Sequence, residues 1–246
     1  MVNNQIKISV IIPLLNEAKA IKNVLLNLQS YPELEVIVVD GGSEDETIAI
    51  AESFSYKVLS SVRGRSIQMN AGAAIATGNI LLFLHGDTIL PANFPQMILE
   101  AIQQPGIVGG AFELKIDAKI RGIKLVEMMV NWRSHFFSLP YGDQAIFIKA
   151  ETFNQIGGFP IQPIMEDFVF IRQLKNIGKI AIIPTPVITS GRRWQQLGIV
   201  KTTLINQLMI LGYYLGVSPE KLATFYRKKR KYKNFGGQDA HTTKLQ

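Results

Sequence analysis

The chain has 246 residues, 47% of them hydrophobic and none of them cysteine. That is enough apolar sequence for one α/β domain with a large buried core, and it excludes disulfides, cysteine metal sites and cysteine nucleophiles. The net charge of +7 is local: residues 227–233, RKKRKYK, hold six basic residues, and without them 20 basic residues face 19 acidic ones, so no general nucleic-acid-binding surface is expected.

The opening MVNNQIKISVIIPLLNEA lacks the charged lead-in and cleavage site of a signal peptide. Its residues 8–12 form a β-rich run that ends at Pro13 and leads into a loop over 14–17. In residues 18–29, Ile21, Leu25 and Leu28 share one face and predict a helix. Residues 35–39 predict a second strand, ending at Asp40. GGSEDET then reads as a turn and a helix start, with Ser43 as N-cap and Glu46 three residues on, the helix running to about Phe54. A weak third strand falls at 57–59 and a helix at 65–76, stopped by Gly78. Residues 80–84 are almost wholly apolar, the pattern of a strand buried on both faces of a parallel sheet, and end at His85-Gly86-Asp87. Another helix spans 94–103. Strands alternating with helices predict an α/β fold with a Rossmann-like, mostly parallel open sheet and flanking helices.

After about Gln104 the rhythm changes. The pattern predicts a strand at 109–116 and an amphipathic helix over 120–137 carrying Ile123, Met128, Met129, Trp132, Phe136 and Phe137. A strand at 145–149, a loop at 157–160, a helix at 167–176 and a strand at 180–183 follow. The late apolar stretch 204–217 is shorter than the ~20 residues that span a bilayer, so no transmembrane helix is expected. Internal repeats are not evident.

In an open parallel sheet, ligands bind beyond the carboxyl ends of the strands. Asn16 and Glu17 follow the first strand, Asp40 the second and Asp87 the buried one. Three acids in one layer point to a shared cleft.

SVIIPLLNEA followed by VIVVDGGSEDET resembles the opening of the family 2 glycosyltransferases with the GT-A fold. GRSIQMNAGAAIATGNILLFLHGDT resembles their next block, and the later GDQ and MED also fit. The resemblance covers roughly residues 6–193, with five motifs in the expected order, and looks closest to a bacterial subgroup with an HGDT-type metal motif. It implies an inverting transferase that uses a nucleotide diphosphate sugar, with UDP favoured and GDP an alternative. It also implies a single GT-A domain over 1–226, with a nucleotide-binding half at about 1–104 and an acceptor-binding half at about 105–226, before a basic tail, 227–246, expected to be disordered.

The residues make chemical sense in these roles. Asp40, with Gly41 beside it, can accept hydrogen bonds from a base N–H or can simply form the turn. Pro13, Asn16 and Glu17 resemble the loop over the nucleoside, although Glu17 can also cap the following helix. Arg65 has a fork suited to phosphate oxygens or a carboxylate. Gly72 permits close backbone approach, and Gln68 and Asn70 read either as ligand contacts or as a solvated helix face. Asp87, with Gly86 before it, is the candidate ligand for a hard divalent cation, Mn²⁺ or Mg²⁺, on the diphosphate. The family's first carboxylate is replaced here by His85; as a ligand it would favour Mn²⁺, and otherwise it is a strand-end histidine bonded to backbone.

By resemblance, Asp167 is the base that takes the acceptor proton, with Glu166 as the alternative. The same pair also opens a helix, where acids complement the dipole. Asp143 and Gln144 are assigned to the acceptor or donor sugar. Of the late cluster, Arg193 or Arg192 is expected to reach the diphosphate, and Trp194 either stacks on acceptor or packs.

The acceptor, whether lipid, saccharide or small molecule, is not identified by these motifs. Helix 120–137, and segment 204–217 followed by RKKRKYK, read either as peripheral contacts with an anionic membrane or as core cover with a solvated tail. A cytoplasmic location, at the inner face of the membrane if they touch lipid, is expected. Two rivals remain: a nucleotidyltransferase, whose loop after the first strand is typically glycine-rich with an arginine, unlike Pro-Leu-Leu-Asn-Glu here; and a non-catalytic nucleotide-binding or membrane-scaffold module, which would not need the acids of the second half.

Overall fold

The computed structural model describes residues 7–231. Its centre is an eight-stranded sheet in the order β3-β2-β1-β4-β7-β6-β8-β5. The strands are β1 (Ile8–Leu14), β2 (Glu35–Asp40), β3 (Lys57–Ser60), β4 (Ile80–Phe83), β5 (Thr88–Ile89), β6 (Ile107–Asp117), β7 (Ile146–Lys149) and β8 (Lys179–Ser190). β1 pairs in parallel with β2 and β4, and β2 with β3. β7 is antiparallel to both β4 and β6, β6 and β8 are parallel, and β5 returns antiparallel to β8. The sheet is therefore mostly parallel, as expected, with β7 reversed at the junction of the two halves.

Side-chain alternation along the strands builds two cores, one on each face. Val10, Ile12, Val36, Val38, Ile80 and Leu82 face one side. There they meet Ile21, Val24, Leu25 and Leu28 of α1 (Ala18–Gln29) and Phe94 and Ile98 of α4 (Phe94–Gln103). Ile11, Ile37, Val39, Leu81 and Phe83 face the other, toward Met69 of α3 (Arg65–Ile75), Phe153 of α6 (Ala150–Gln155) and Phe170, Ile171 and Leu174 of α7 (Glu166–Leu174). A Cβ at Gly72 would stand 2.5 Å from Ile11 Cγ2, so this glycine is what lets α3 sit on β1. At the end of β2 opposite the site, Glu35 is buried. Burial raises its pKa, but hydrogen bonds from Lys57, Ser9 and Thr77 outweigh that and hold it at about 2.

Three local expectations change. Ser43 does not cap a helix: α2 (Thr47–Glu52) starts four residues later, and the Ser43 hydroxyl is bonded to Asp40 instead. The strand expected at 180–183 runs to Ser190, because β6 pairs with it over its length across a register shift between Phe112 and Glu113. α5 (Ile123–Phe137) buries Ile123, Val126 and Ser134, whereas Met128, Met129, Trp132, Phe136 and Phe137 face out.

The chain closes with α8 (Arg192–Leu197), α9 (Ile199–Tyr214) and α10 (Pro219–Lys231). α10 takes in the first five residues of the basic run, and the rest of the tail lies outside the described residues. Among the described residues no helix is long and apolar enough to cross a membrane.

Candidate active site

The loops after β1 and β2 are tied to each other through backbone. Asp40, only 2% exposed, accepts from the N–H of Gly42 (2.8 Å) and Ser43 (2.9 Å) through one oxygen and from the Ser43 hydroxyl through the other. Gly42 turns the chain with φ of +88°, a conformation glycine adopts without strain. Ser43 Oγ in turn accepts from Asn16 N–H (2.9 Å), and Asn16 Oδ1 accepts from Glu44 N–H (2.8 Å). Three donors occupy Asp40, leaving about one of a carboxylate's four acceptor sites. Pro13 lies where β1 outruns β4, whose last partner on β1 is Ile11, so its missing N–H is not needed there.

Arg192 joins this layer from the end of β8. Its Nη2 donates to Glu17 Oε2 (2.6 Å) and Asp87 Oδ2 (2.9 Å). Burial raises the Glu17 pKa, and the Arg192 contact pulls against it. Asp87 and His85 do not turn to one point. Asp87 is on Arg192, while His85 points toward Gly142, where an added Cβ would stand 3.0 Å from His85 Nε2 and 3.1 Å from Asp167 Oδ2. Among the described residues no three His, Cys, Asp or Glu side chains are grouped to hold a metal ion. Asp87 by itself fits a hard cation that draws its other ligands from phosphate and water; among the described residues the His, Cys, Asp and Glu side chains alone do not make a ligand set.

The second half of the site is a part-buried cluster of ionisable groups around the buried Glu166, with Arg65 at its exposed rim. Glu166 and Asp167 open α7, where negative charge is favoured by the helix dipole. Asp167 Oδ2 accepts from Gly142 N–H (2.7 Å) and its Oδ1 from Phe168 N–H (2.7 Å). Glu166 Oε1 receives Arg65 Nη1 at 3.2 Å. Burial and the nearby Asp167 raise the Glu166 pKa against the pull of Arg65. Asp143 is pushed up to about 6 by burial and by Asp167, with Arg133 and Arg65 opposing. Burial, with the Arg65 cation, holds His85 down at about 3, so the imidazole is neutral. Three side-chain atoms here are buried without any hydrogen-bond partner: His85 Nε2, Tyr141 Oη and Asp143 Oδ1.

Several expected contacts are used for structure instead. Gln144 is 0% exposed; its oxygen accepts from Ser134, Arg133 and Tyr141 N–H, and its amide donates to Phe112 O, so the side chain is held in the interior. Asn70 binds both N–H and O of Phe159. Gln68 donates to Leu14 O (2.7 Å) and Val39 O (2.8 Å), latching β1 to β2, and Gly41 lies directly against its amide. Gly86 makes room for Leu14, since a Cβ there would meet Leu14 Cδ2 at 2.4 Å. Arg193 turns away to Asn206 and over the Tyr226 ring, so Arg192 is the arginine in the site. Trp194 packs against the first core rather than into the cleft.

Two residues were missed. Tyr141 precedes the GDQ motif, and Arg133 stacks on its ring at 3.5 Å. Arg133 could have been found, because with Val126, Val130 and Ser134 it follows the inward helical spacing of α5.

The protein-family model described as Glycosyl transferase family 2 matches residues 9–159. The glycosyltransferase AglE of Haloferax volcanii is 37% identical over 170 residues, covering 62% of this chain and 56% of AglE; the chain spans about half the length of the curated relatives it matches. In fold it is similar to S. aureus TarS in complex with UDP, with TM-score 0.61 and 20% identity over 75% of this chain and 60% of that one. It is also similar to glucosyl-3-phosphoglycerate synthase from Mycobacterium tuberculosis in complex with Mn²⁺, UDP and glucosyl-3-phosphoglycerate, with TM-score 0.60 and 20% identity over 87% of this chain and 81% of that one. A sheet with polar loops at its strand ends, motifs in order along it and a family match over residues 9–159 together place this chain in glycosyl transferase family 2.

Proposed function

We propose that the protein transfers a sugar from a nucleoside diphosphate donor, a UDP-sugar by preference, to an acceptor hydroxyl with inversion at the anomeric carbon. The observation that carries this reading is the cluster of unpartnered polar atoms, His85 Nε2, Tyr141 Oη and Asp143 Oδ1, around the carboxylate of Asp167. A buried polar atom without a partner costs about 1–3 kcal/mol, and such atoms fit a site that a polyhydroxylated ligand completes.

In this mechanism Asp167, aimed by the Gly142 and Phe168 amides, takes the proton of the acceptor hydroxyl as its oxygen attacks the anomeric carbon. The bond to the diphosphate breaks on the opposite face. Glu166 is the orienting partner through Arg65, and Asp143 holds a sugar hydroxyl. Asp40 reads the base edge with its remaining acceptor site, and the loop of Pro13, Asn16 and Glu17 covers the nucleoside. Arg65 and Arg192 are the cations for the diphosphate. Asp87 would hold a divalent cation, Mn²⁺ or Mg²⁺; when bound, such an ion neutralises charge on the leaving group. The UDP and Mn²⁺ complexes of the fold relatives support this donor and metal choice. The proposed location is the cytoplasm, where nucleotide sugars are at hand.

Calorimetry with UDP and GDP, with and without Mn²⁺, tests the donor half. UDP binding strengthened by Mn²⁺, with that gain lost in Asp87→Ala, is the expected result. Preference for GDP would redirect the donor. No binding of either nucleotide by folded protein with metal present would overturn the transferase reading in favour of a non-catalytic module.

A further inference from the structure

The second half of the molecule carries two exposed apolar faces that the fold does not use. On α5, Leu125, Met128, Met129, Trp132 and Phe136 recur at steps of three and four residues, each more than half exposed. Trp132, Phe136 and Phe137 touch one another, with ring centroids 5.0 to 5.5 Å apart, so this is a formed aromatic cluster rather than scattered side chains. On α9 and its exit, Val200, Leu204, Leu208, Leu211 and Leu215 follow the same spacing and are also exposed. The helices begin side by side, Ile199 lying against Gly122. An apolar face this exposed on each helix marks an interaction site.

The charges around these faces are mainly positive; the acids beside them are Asp117, Glu220 and Glu113, which pairs with His135 of α5 at 2.8 Å. Lys119, Arg121 and Lys124 are exposed at the entrance to α5. The single acid between 119 and 137 is Glu127, whose carboxylate turns inward to Ile116 N–H at 2.7 Å. Residues 199–217 hold Lys201 and no acid. Leu222 of α10 reaches Gly212 of α9, and α10 leads into the basic run through exposed Arg227 and Lys228. Cations around an aromatic and aliphatic face attract anionic headgroups. The same cations would repel the matching face of a second copy of the chain.

We propose that α5 and α9 together seat the protein on an anionic lipid surface, with Arg227 and Lys228 of α10 reinforcing the contact. The inward face of α5 is the one that holds Tyr141 and Gln144 through Arg133 and Ser134. Docking therefore brings the catalytic cluster to the membrane, and, resting on the transferase reading, the acceptor is a hydroxyl carried by a lipid in that membrane.

The test is flotation of the full chain with vesicles of phosphatidylcholine, with and without phosphatidylglycerol, and calorimetry with UDP and GDP on the same samples. The expected result is binding to the phosphatidylglycerol vesicles that weakens with salt. It should fall about tenfold or more in Trp132→Ser/Phe136→Ser and in Leu204→Ser/Leu208→Ser, with UDP affinity unchanged. Protein that binds UDP but no vesicle would overturn the docking surface and leave the transferase reading standing. Vesicle binding by protein that takes up neither UDP nor GDP would uphold the surface and remove the transferase reading and its lipid acceptor. A concentration-dependent dimer without flotation, abolished by the same substitutions, would overturn the proposal and assign the face to a second copy.

Discussion

At the carboxyl ends of β1 and β2 the polar side chains bind backbone; between Tyr141 and Asp167 several bind one another or nothing. Asp40, Asn16, Ser43 and Gln68 tie two loops and two strands together with hydrogen bonds to main-chain atoms. Around Gly142, by contrast, three acids and two arginines lie close together, with Glu166 buried and Arg65 at the exposed rim; Asp143 and Glu166 have raised pKa values, and three polar atoms lack partners. The first region is satisfied by backbone partners, save about one acceptor site on Asp40. The second holds charged groups whose polar neighbours lack partners. Rigid recognition on one side and electrostatic tension on the other suit a two-substrate transferase, in which one substrate is positioned and the other is activated.

Substitutions on the two sides should therefore behave oppositely. The largest expected effect is on turnover: Asp167→Asn should lower kcat by about 10²–10⁴ with UDP affinity unchanged, measured by donor turnover alongside calorimetry. Full turnover would move the base to Glu166 or Asp143. Next is Gln68→Ala on the satisfied side. It removes the amide donor from Val39 O and from Leu14 O, which keeps the Gly41 N–H at 2.9 Å, so urea unfolding should show a loss of about 1–3 kcal/mol. A loss under about 0.5 kcal/mol would mean that the latch is not needed.

The smallest effect has the opposite sign. Because the Asp143 pKa is raised to about 6 in the folded protein, folding favours its protonated form. That favour is full below the unfolded carboxylate range near 4 and is lost as pH rises through about 6. Asp143→Asn should therefore stabilise the protein at neutral pH by on the order of 1–3 kcal/mol, flatten the pH dependence of its melting temperature across that window, and lower activity. Equal melting temperatures at pH 5 and pH 8 in both proteins would show that the Asp143 carboxylate carries no such strain.

The fold was readable where a segment has only one way to bury itself. EVIVVD and ILLF are apolar enough to need cover on both faces, and α1 shows one apolar stripe. The far end of β8 was missed because ITS-type sequence carries little apolar signal and is held in the sheet by β6. The site was readable in the same way. Asp40, Asp87 and Glu17 follow strands directly, and strand ends in one sheet share a layer. Choosing between Arg192 and Arg193 was beyond a sequence argument, since adjacent residues on a short helix point apart and only the partners on other elements distinguish them. Gln144 and Asn70 misled for a related reason: an amide that binds backbone and one that binds a ligand look alike until the backbone is in place.

Local chemistry alone thus determined the alternation of strands and helices, the family of motifs along them and the layer in which the acids gather, because periodicity and order along the chain suffice for these. Tertiary structure decided which of those polar groups are satisfied and which are not. It put Arg192 between Glu17 and Asp87, left His85, Tyr141 and Asp143 without partners, and turned the aromatic face of α5 outward. Each of these depends on which distant segments come into contact, and burial and hydrogen-bond partnership are properties of that contact rather than of any residue.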